Sequence, residues 1–305
     1  MHPPLGVGMN RAEQTPLPAR PRRDPSGAPV GDRAVTLGAA RSATLLSIPH
    51  LVLRRVLDAA LPRVCIVCRA RGCADGDECC PACRDSIEPL AALPYCERCG
   101  RSAQTAAIRE RECGWCAHES YWNVRRLVRI GPYDSPLRDP VLSLKFGGNR
   151  RCANYLGGLL ADVLEGREWV ESLDALVPVP MHMLRRVQRK CNHAAMLAQT
   201  LSRRIGVPLL HALRRTRYTV SQTRAATRGA RFTNVAGSFG VRRRMRISGK
   251  RLCIIDNVLT SGATLHEVSK TLRRAGAARI DAAVIARAGM PGVDQASSDV
   301  LVTHG

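Results

Sequence analysis

Two sets of residues in this chain of 305 residues have the types and spacing to do chemistry. The first runs from Leu252 to Thr264. Leu252, Cys253, Ile254 and Ile255 form an apolar run, the pair Asp256-Asn257 follows, and after Val258-Leu259 comes Thr260-Ser261-Gly262-Ala263-Thr264. Four such side chains in a row suit a parallel strand covered on both faces. The loop residues bring hydroxyls and little bulk, so their backbone N–H groups can approach a phosphate. The pattern predicts a helix over 265–275, which sets the loop at the positive end of a helix dipole. Asp256, expected in a turn before the loop, is placed to accept hydrogen bonds from sugar hydroxyls. Together these residues describe a phosphosugar pocket.

The second set is cysteine. Four Cys-x-x-Cys pairs follow one another: Cys65/Cys68, Cys80/Cys83, Cys96/Cys99 and Cys113/Cys116. Each pair can bend into a knuckle that offers two thiolates to one tetrahedral ion, and two knuckles complete a structural zinc site. Gly100 and Gly114 stand where a knuckle needs a tight turn. Neighbouring pairs would give two zinc sites, although interleaved partners fit the same count. Cys73 and Cys79 read as spare thiols, with Cys79 competing with Cys80. A segment this short and polar has little core, so metal would supply its folding energy. All-thiolate sites leave no open position, which argues against a catalytic zinc.

The elements that must position these groups follow from the apolar pattern. Strands are predicted over 124–131, 175–180, 251–256 and 280–286, and helices over 136–145, 154–164, 194–205 and 265–275. Strands alternating with helices predict an α/β fold, a parallel sheet with helices on both faces. In such sheets ligands bind at the carboxyl ends of strands. Residues 1–44 read as a basic, Pro/Gly-rich disordered extension, for which a start codon further downstream would also fit. Residues 45–61 read as an amphipathic helix, suited to packing on a neighbouring domain or to a membrane surface. Residues 62–118 form the cysteine module, 121–290 the α/β domain and 291–305 a tail.

Charge adds a constraint. The formal net charge is +22, and between Asp174 and Asp256 there are 18 Lys and Arg with no acidic residue. Such a stretch repels itself unless an anion faces it. A phosphosugar would take a few of these charges; the excess suggests a polyanion such as single-stranded DNA, or else a generally Arg-rich surface. No run of about 18 apolar residues predicts a transmembrane helix. Residues 1–35 lack the apolar core of a secretory signal, so a cytoplasmic location is the expectation.

Residues 252–264 resemble the phosphoribosyl-diphosphate (PRPP) motif of type I phosphoribosyltransferases, with Asn257 in place of the second acid. More widely, the chain resembles the ComF family from about Leu51 to Ala288. These are phosphoribosyltransferase-like proteins with an N-terminal zinc-ribbon module, linked to DNA uptake in natural competence. The resemblance rests on Gly131-Pro132-Tyr133-Asp134-Ser135-Pro136-Leu137-Arg138, Leu144-Lys145-Phe146-Gly147-Gly148-Asn149, Leu176-Val177-Pro178-Val179-Pro180-Met181-His182, Asn192, Thr219-Val220-Ser221-Gln222 and Asn234-Val235. It implies a type I phosphoribosyltransferase-like domain that binds PRPP with magnesium. Asp256 and Asn257 would hold the ribose hydroxyls, Asp256 would help place magnesium through water, and 260–264 would bind the 5′-phosphate. Residues 180–192 would form the diphosphate loop, with Arg185, Arg186, Arg189 and Asn192. The usual Arg-Gly-Phe-Asn-Gln there is Arg189-Lys190-Cys191-Asn192-His193 in this chain. Residues 219–234 would form a flexible hood bringing Gln222, Arg228 and Arg231 to the departing diphosphate. The functional readings are a PRPP-binding protein of DNA uptake, with competence helicase and recombination proteins as partners; a non-catalytic ligand- or DNA-binding module; and a nucleotide-salvage transferase.

Overall fold

The computed structural model describes residues 64–70, 73, 77–102, 113, 116, 123–147, 149–181, 191–217 and 227–289. The expected 1–44 extension, the 45–61 helix and the 291–305 tail lie outside them.

In chain order the elements are α1 (Pro81–Ile87), a 3-10 turn (Glu88–Ala92), β1 (Leu127–Pro132), α2 (Arg138–Gly147), α3 (Arg150–Leu164), α4 (Glu168–Glu171), β2 (Ala175–Pro178) and α5 (His193–Ile205). Then follow β3 (Leu213–Arg215), α6 (Arg228–Val235), β4 (Phe239–Val241), β5 (Arg251–Leu259), α7 (Ala263–Arg274) and β6 (Arg279–Arg287). Four strands make a sheet in the order β1-β6-β5-β2, every pair parallel, while β3 and β4 form a separate antiparallel pair. The expected parallel α/β sheet is therefore present.

Alternation along each strand serves two cores. On one face Val128, Ile130, Cys253, Ile255, Ala283 and Ile285 meet Leu156, Leu160, Leu197 and Leu201 of α3 and α5. On the other, Leu252, Ile254, Ala282 and Val284 meet Leu265, Val268 and Leu272 of α7. Each fully buried Leu contributes roughly 1.5–3 kcal/mol. A one-residue slip would exchange the two sets, so packing fixes the register that places Asp256.

Several boundaries differ from the periodicity for local reasons. α3 begins at Arg150 and not at 154, because the Asn149 side chain caps it by accepting from the Arg151 amide at 2.9 Å. β2 stops at Pro178, although the Val179 amide still reaches Ile255 O at 3.0 Å. Among the described residues no helix is long and apolar enough to cross a membrane.

Candidate functional site

The site is built where β5 gives way to α7. β5 lies between β6 and β2, and its pairing with β6 continues through Asp256↔Val284, Val258↔Ala286 and Leu259↔Arg287. The strand expected over 251–256 thus runs on through the expected acidic turn: Asn257 to Leu259 are strand residues with Asp256, because β6 runs on to Arg287 and gives them a partner. Asp256 is half-buried, and its Oδ1 accepts from the Asn257 amide at 2.8 Å. Desolvation pushes its carboxyl up to about 6; the Asn257 N–H and the charges of Arg215 and Lys145 oppose that rise. Beside it, Asn257 Oδ1 is buried and meets no donor among the described residues. A buried acceptor without a donor costs about 1–3 kcal/mol, so this oxygen marks a place where a donor belongs.

The loop is shorter than the sequence suggests. Thr260, Ser261 and Gly262 form it, and Ala263 and Thr264 already belong to the first turn of α7. Gly262 makes the corner at φ +82°, a left-handed conformation that costs a residue with a Cβ about 1–2 kcal/mol. Its carbonyl accepts from the His266 amide at 2.8 Å, and Ser261 Oγ accepts from the Ala263 amide at 3.4 Å. Helix geometry leaves the first-turn amides without intrahelical acceptors, which makes this end of α7 suited to an anion.

The remaining predicted residues are distributed as follows. Arg185, Arg186, Arg189 and Gln222 lie outside the described residues. Asn192 sits at the N-cap of α5 and donates its amide to Val179 O at 3.2 Å, tying α5 to the end of β2. Arg228 opens α6, its side chain outside the description, and Arg231 is half-buried one turn on. The last part of the expected hood is therefore a helix, capped by Thr227, whose hydroxyl accepts from the Ala230 amide at 3.1 Å. This helix rests on α7: the Phe232 and His266 rings lie 5.6 Å apart, and the Gly237 amide donates to the buried Glu267 carboxylate at 2.9 Å.

Three cations near the site had no assigned role in the sequence. Lys145 of α2 and Arg215 of β3 act on Asp256 electrostatically, and Arg287 ends β6. Lys145 stands in the Leu144–Asn149 motif and Arg215 in the acid-free interval, so both carried a weak signal. Only topology brings them to β5.

The cysteines gather as two clusters, Cys65/Cys68/Cys80/Cys83 and Cys96/Cys99/Cys113/Cys116, so neighbouring pairs combine. Cys68 and Cys80 sulfurs are 3.8 Å apart, Cys96 and Cys116 3.6 Å, and Cys99 and Cys113 3.7 Å. A disulfide needs about 2.05 Å. A tetrahedral zinc with Zn–S of about 2.3 Å has S···S edges of about 3.8 Å, so the thiols fit that ion. In the first cluster, burial opposes ionisation of Cys65, yet amides of Cys80, Cys68 and Val67 bring its pKa down to about 6. Cys96 is brought down to about 5, first by its hydrogen bond with Cys99. Cys79 is fully buried 4.0 Å from Cys65 and outside the cluster of four; burial pushes its thiol up to about 12, as befits a spare thiol. The module is fastened to the α/β domain. Arg151 of α3 pairs with Glu78 and donates to Val64 O and Asp77 O at 3.1 and 3.3 Å. Arg167 pairs with Glu97 at 2.6 Å.

Two family models match the two parts of this architecture. Residues 192–302 match the phosphoribosyl transferase domain, and residues 56–117 match the double zinc ribbon domain. The double zinc ribbon and the two thiol clusters support structural zinc. The chain is 30% identical to competence protein F of Haemophilus influenzae, over 73% of this chain and 96% of that one. It is likewise 30% identical to the DNA utilization protein YhgH of Escherichia coli K12, over 72% and 95%. Adenine phosphoribosyltransferase from Thermoanaerobacter pseudethanolicus overlaps 47% of this chain and 83% of its own, at 16% identity and TM-score 0.31.

Proposed function

The chain belongs to the ComF (competence protein F) family, and from that premise we propose that it binds PRPP with magnesium at the end of β5 and acts in the uptake or handling of transforming DNA. The observation that carries the binding reading is Asp256 beside Asn257 Oδ1, which meets no donor among the described residues, ahead of the left-handed corner at Gly262 and the first turn of α7. In this reading the Asp256 carboxylate and Asn257 Oδ1 would accept from ribose hydroxyls, and the first-turn amides with the hydroxyls of Thr260, Ser261 and Thr264 would take the phosphate.

In this reading Arg185, Arg186, Arg189, Gln222, Arg228 and Arg231 meet the diphosphate, where Arg donates in pairs. Magnesium takes oxygen ligands, commonly substrate phosphates, waters and one or two carboxylates, and the donors here are of that class. The ion would neutralise charge on the diphosphate. The reaction open to such a site is displacement at the anomeric carbon: the bond to diphosphate breaks, and a nitrogen nucleophile forms the new one. The chain's own contribution is orientation and fixed charge. Asn257, which carries no charge, favours binding over fast turnover.

Calorimetry with PRPP and magnesium tests the site. Binding by the native protein and loss of binding in Asp256→Ala are expected; no binding, or equal binding by the variant, would sink the reading. For the role in uptake, Asp256→Ala should fail to restore transformation to a strain lacking the gene. Release of diphosphate dependent on a free nucleobase would favour salvage instead.

A second reading, nucleic-acid binding, is favoured by Arg242, Arg243, Arg244 and Arg246, which stand exposed between β4 and β5 within the acid-free interval. Phosphate contacts of this kind give affinity that falls steeply with salt.

A further inference from the structure

One buried side chain touches both the second thiol cluster and the loop after β5. Arg287, 5% exposed at the end of β6, donates Nε–H to Cys99 O at 3.0 Å. Its Nη1 donates to Leu259 O and Ala288 O, each at 3.0 Å, and to Thr260 O. The guanidinium is planar and rigid, so its donors move together. A shift of the Cys99 carbonyl therefore becomes a shift of the Leu259 and Thr260 carbonyls.

Both ends of this link are tightly defined. Cys99 contributes its thiol to the cluster, and Gly100 follows at φ +74°. A Cβ at Gly100 would stand 2.6 Å from Leu127 Cδ2 and 3.6 Å from Arg287 Cδ, so the knuckle backbone lies directly against β1 and the Arg287 stem. At the loop end, the trans peptide sets each C=O opposite the next N–H. Holding Leu259 O and Thr260 O on Arg287 turns the Thr260 and Ser261 amides to the other side of the chain. On the reading above, that is the phosphate side.

We infer that Arg287 is a positioning residue that couples closure of the second cluster around zinc to the orientation of the phosphate-binding loop. This inference rests on the PRPP reading for the identity of the ligand, and on contacts alone for the coupling. The thiols fit zinc, as their spacing indicates; the coupling is a property of Arg287 and its carbonyl partners. Linkage is reciprocal, so whatever zinc does for the loop, an occupied loop does for zinc retention. The first cluster is fastened through Arg151 on α3 and is not a partner of Arg287 in these contacts.

The test uses the full-length, zinc-loaded protein and two readouts. Release of zinc to a chromogenic chelator is followed with and without PRPP and magnesium. At equilibrium with the chelator, one of the two ions should be held about tenfold more tightly with ligand, a coupling within the usual range, and the other with unchanged affinity. Arg287→Gln should remove this protection, and Arg287→Lys should behave likewise, since lysine keeps the charge without the fork. Equal release from both clusters by protein that binds PRPP, or protection that persists in Arg287→Gln, would overturn the coupling. The second readout needs no ligand: hydrogen exchange of the Thr260–Leu265 amides should accelerate in Cys116→Ser and in Arg287→Gln, but not in Cys83→Ser. Unchanged exchange in both of the first two would equally overturn it. Should Cys116→Ser not fold, Arg287→Gln carries this comparison by itself. If calorimetry shows no PRPP binding while exchange responds as expected, the ligand reading fails and the coupling stands.

Discussion

Replacing Asp256 with Asn should stabilise the protein while removing its proposed ligand site. Desolvation raises the Asp256 pKa from 3.8 to about 6, so the folded state holds that proton more tightly than the unfolded chain does. Stability is then greatest with the carboxyl protonated and falls as pH rises from 3.8 to 6; above 6 the full penalty applies. Two units at 1.36 kcal/mol each amount to about 3 kcal/mol at pH 7.5, an upper bound because the side chain is only half-buried. Asn keeps the shape and carries no charge to desolvate. In urea titrations followed by fluorescence that includes the buried Trp169, Asp256→Asn should exceed the native protein by up to about 3 kcal/mol at pH 7.5 and by about half of that at pH 5. Protonation of the zinc thiols affects both proteins alike and cancels in the difference. With PRPP and magnesium added at pH 7.5 the order should reverse, because only the native protein gains binding energy. A variant less stable than native at pH 7.5, or a gain independent of pH, would refute the reasoning.

Other expectations are simpler to check. Gly262→Ala should lose about 1–2 kcal/mol in chemical denaturation from the strained corner, and PRPP affinity with it. Elemental analysis of protein purified without added metal should find two zinc ions per chain; Cys99→Ser should retain one and lower the melting temperature. Neutralising Arg242, Arg243 and Arg244 together should weaken single-stranded DNA binding and flatten its dependence on salt, read by anisotropy from 50 to about 200 mM salt. Gly157→Ala should cost about 1–3 kcal/mol, since its Cβ would stand 2.8 Å from Thr200 Cβ where α3 meets α5.

The sheet was legible because its strands are mostly apolar, broken only by single polar positions such as Arg129 of β1 and Asp281 of β6 and by Asp256-Asn257 late in β5, and its helices carry one apolar face. Cys65/Cys68 and the three later pairs announced thiol sites by their spacing, while which pairs combine came only from the fold. What the sequence hid was of three physical kinds. The exact end of β5 depends on how far β6 extends beside it, which no local pattern states. β3 and β4 have three residues each and are separated by more than twenty residues of chain, so neither has a period to detect. α1 starts with Pro81 directly after Cys80, within a segment whose composition reads as loop. The same limit applies at the site: Asp256 and Gly262 announce themselves in sequence, while Lys145, Arg215 and Arg287 join them only through packing.

The contact between Arg287 and Cys99 spans 188 residues, and it constrains how the protein is made. Among the described residues β1 pairs only with β6, which comes last of their strands in chain order. At about 5–20 residues per second, the second thiol cluster waits roughly 10–40 s for Arg287, although the module's contacts with β1 and α3 become available earlier. Through that interval the thiols of the second cluster and the edge of β1 are open to oxidants and to other chains. Early capture of zinc would shield the thiols before any pocket exists, so zinc supply during synthesis should govern the yield of folded protein.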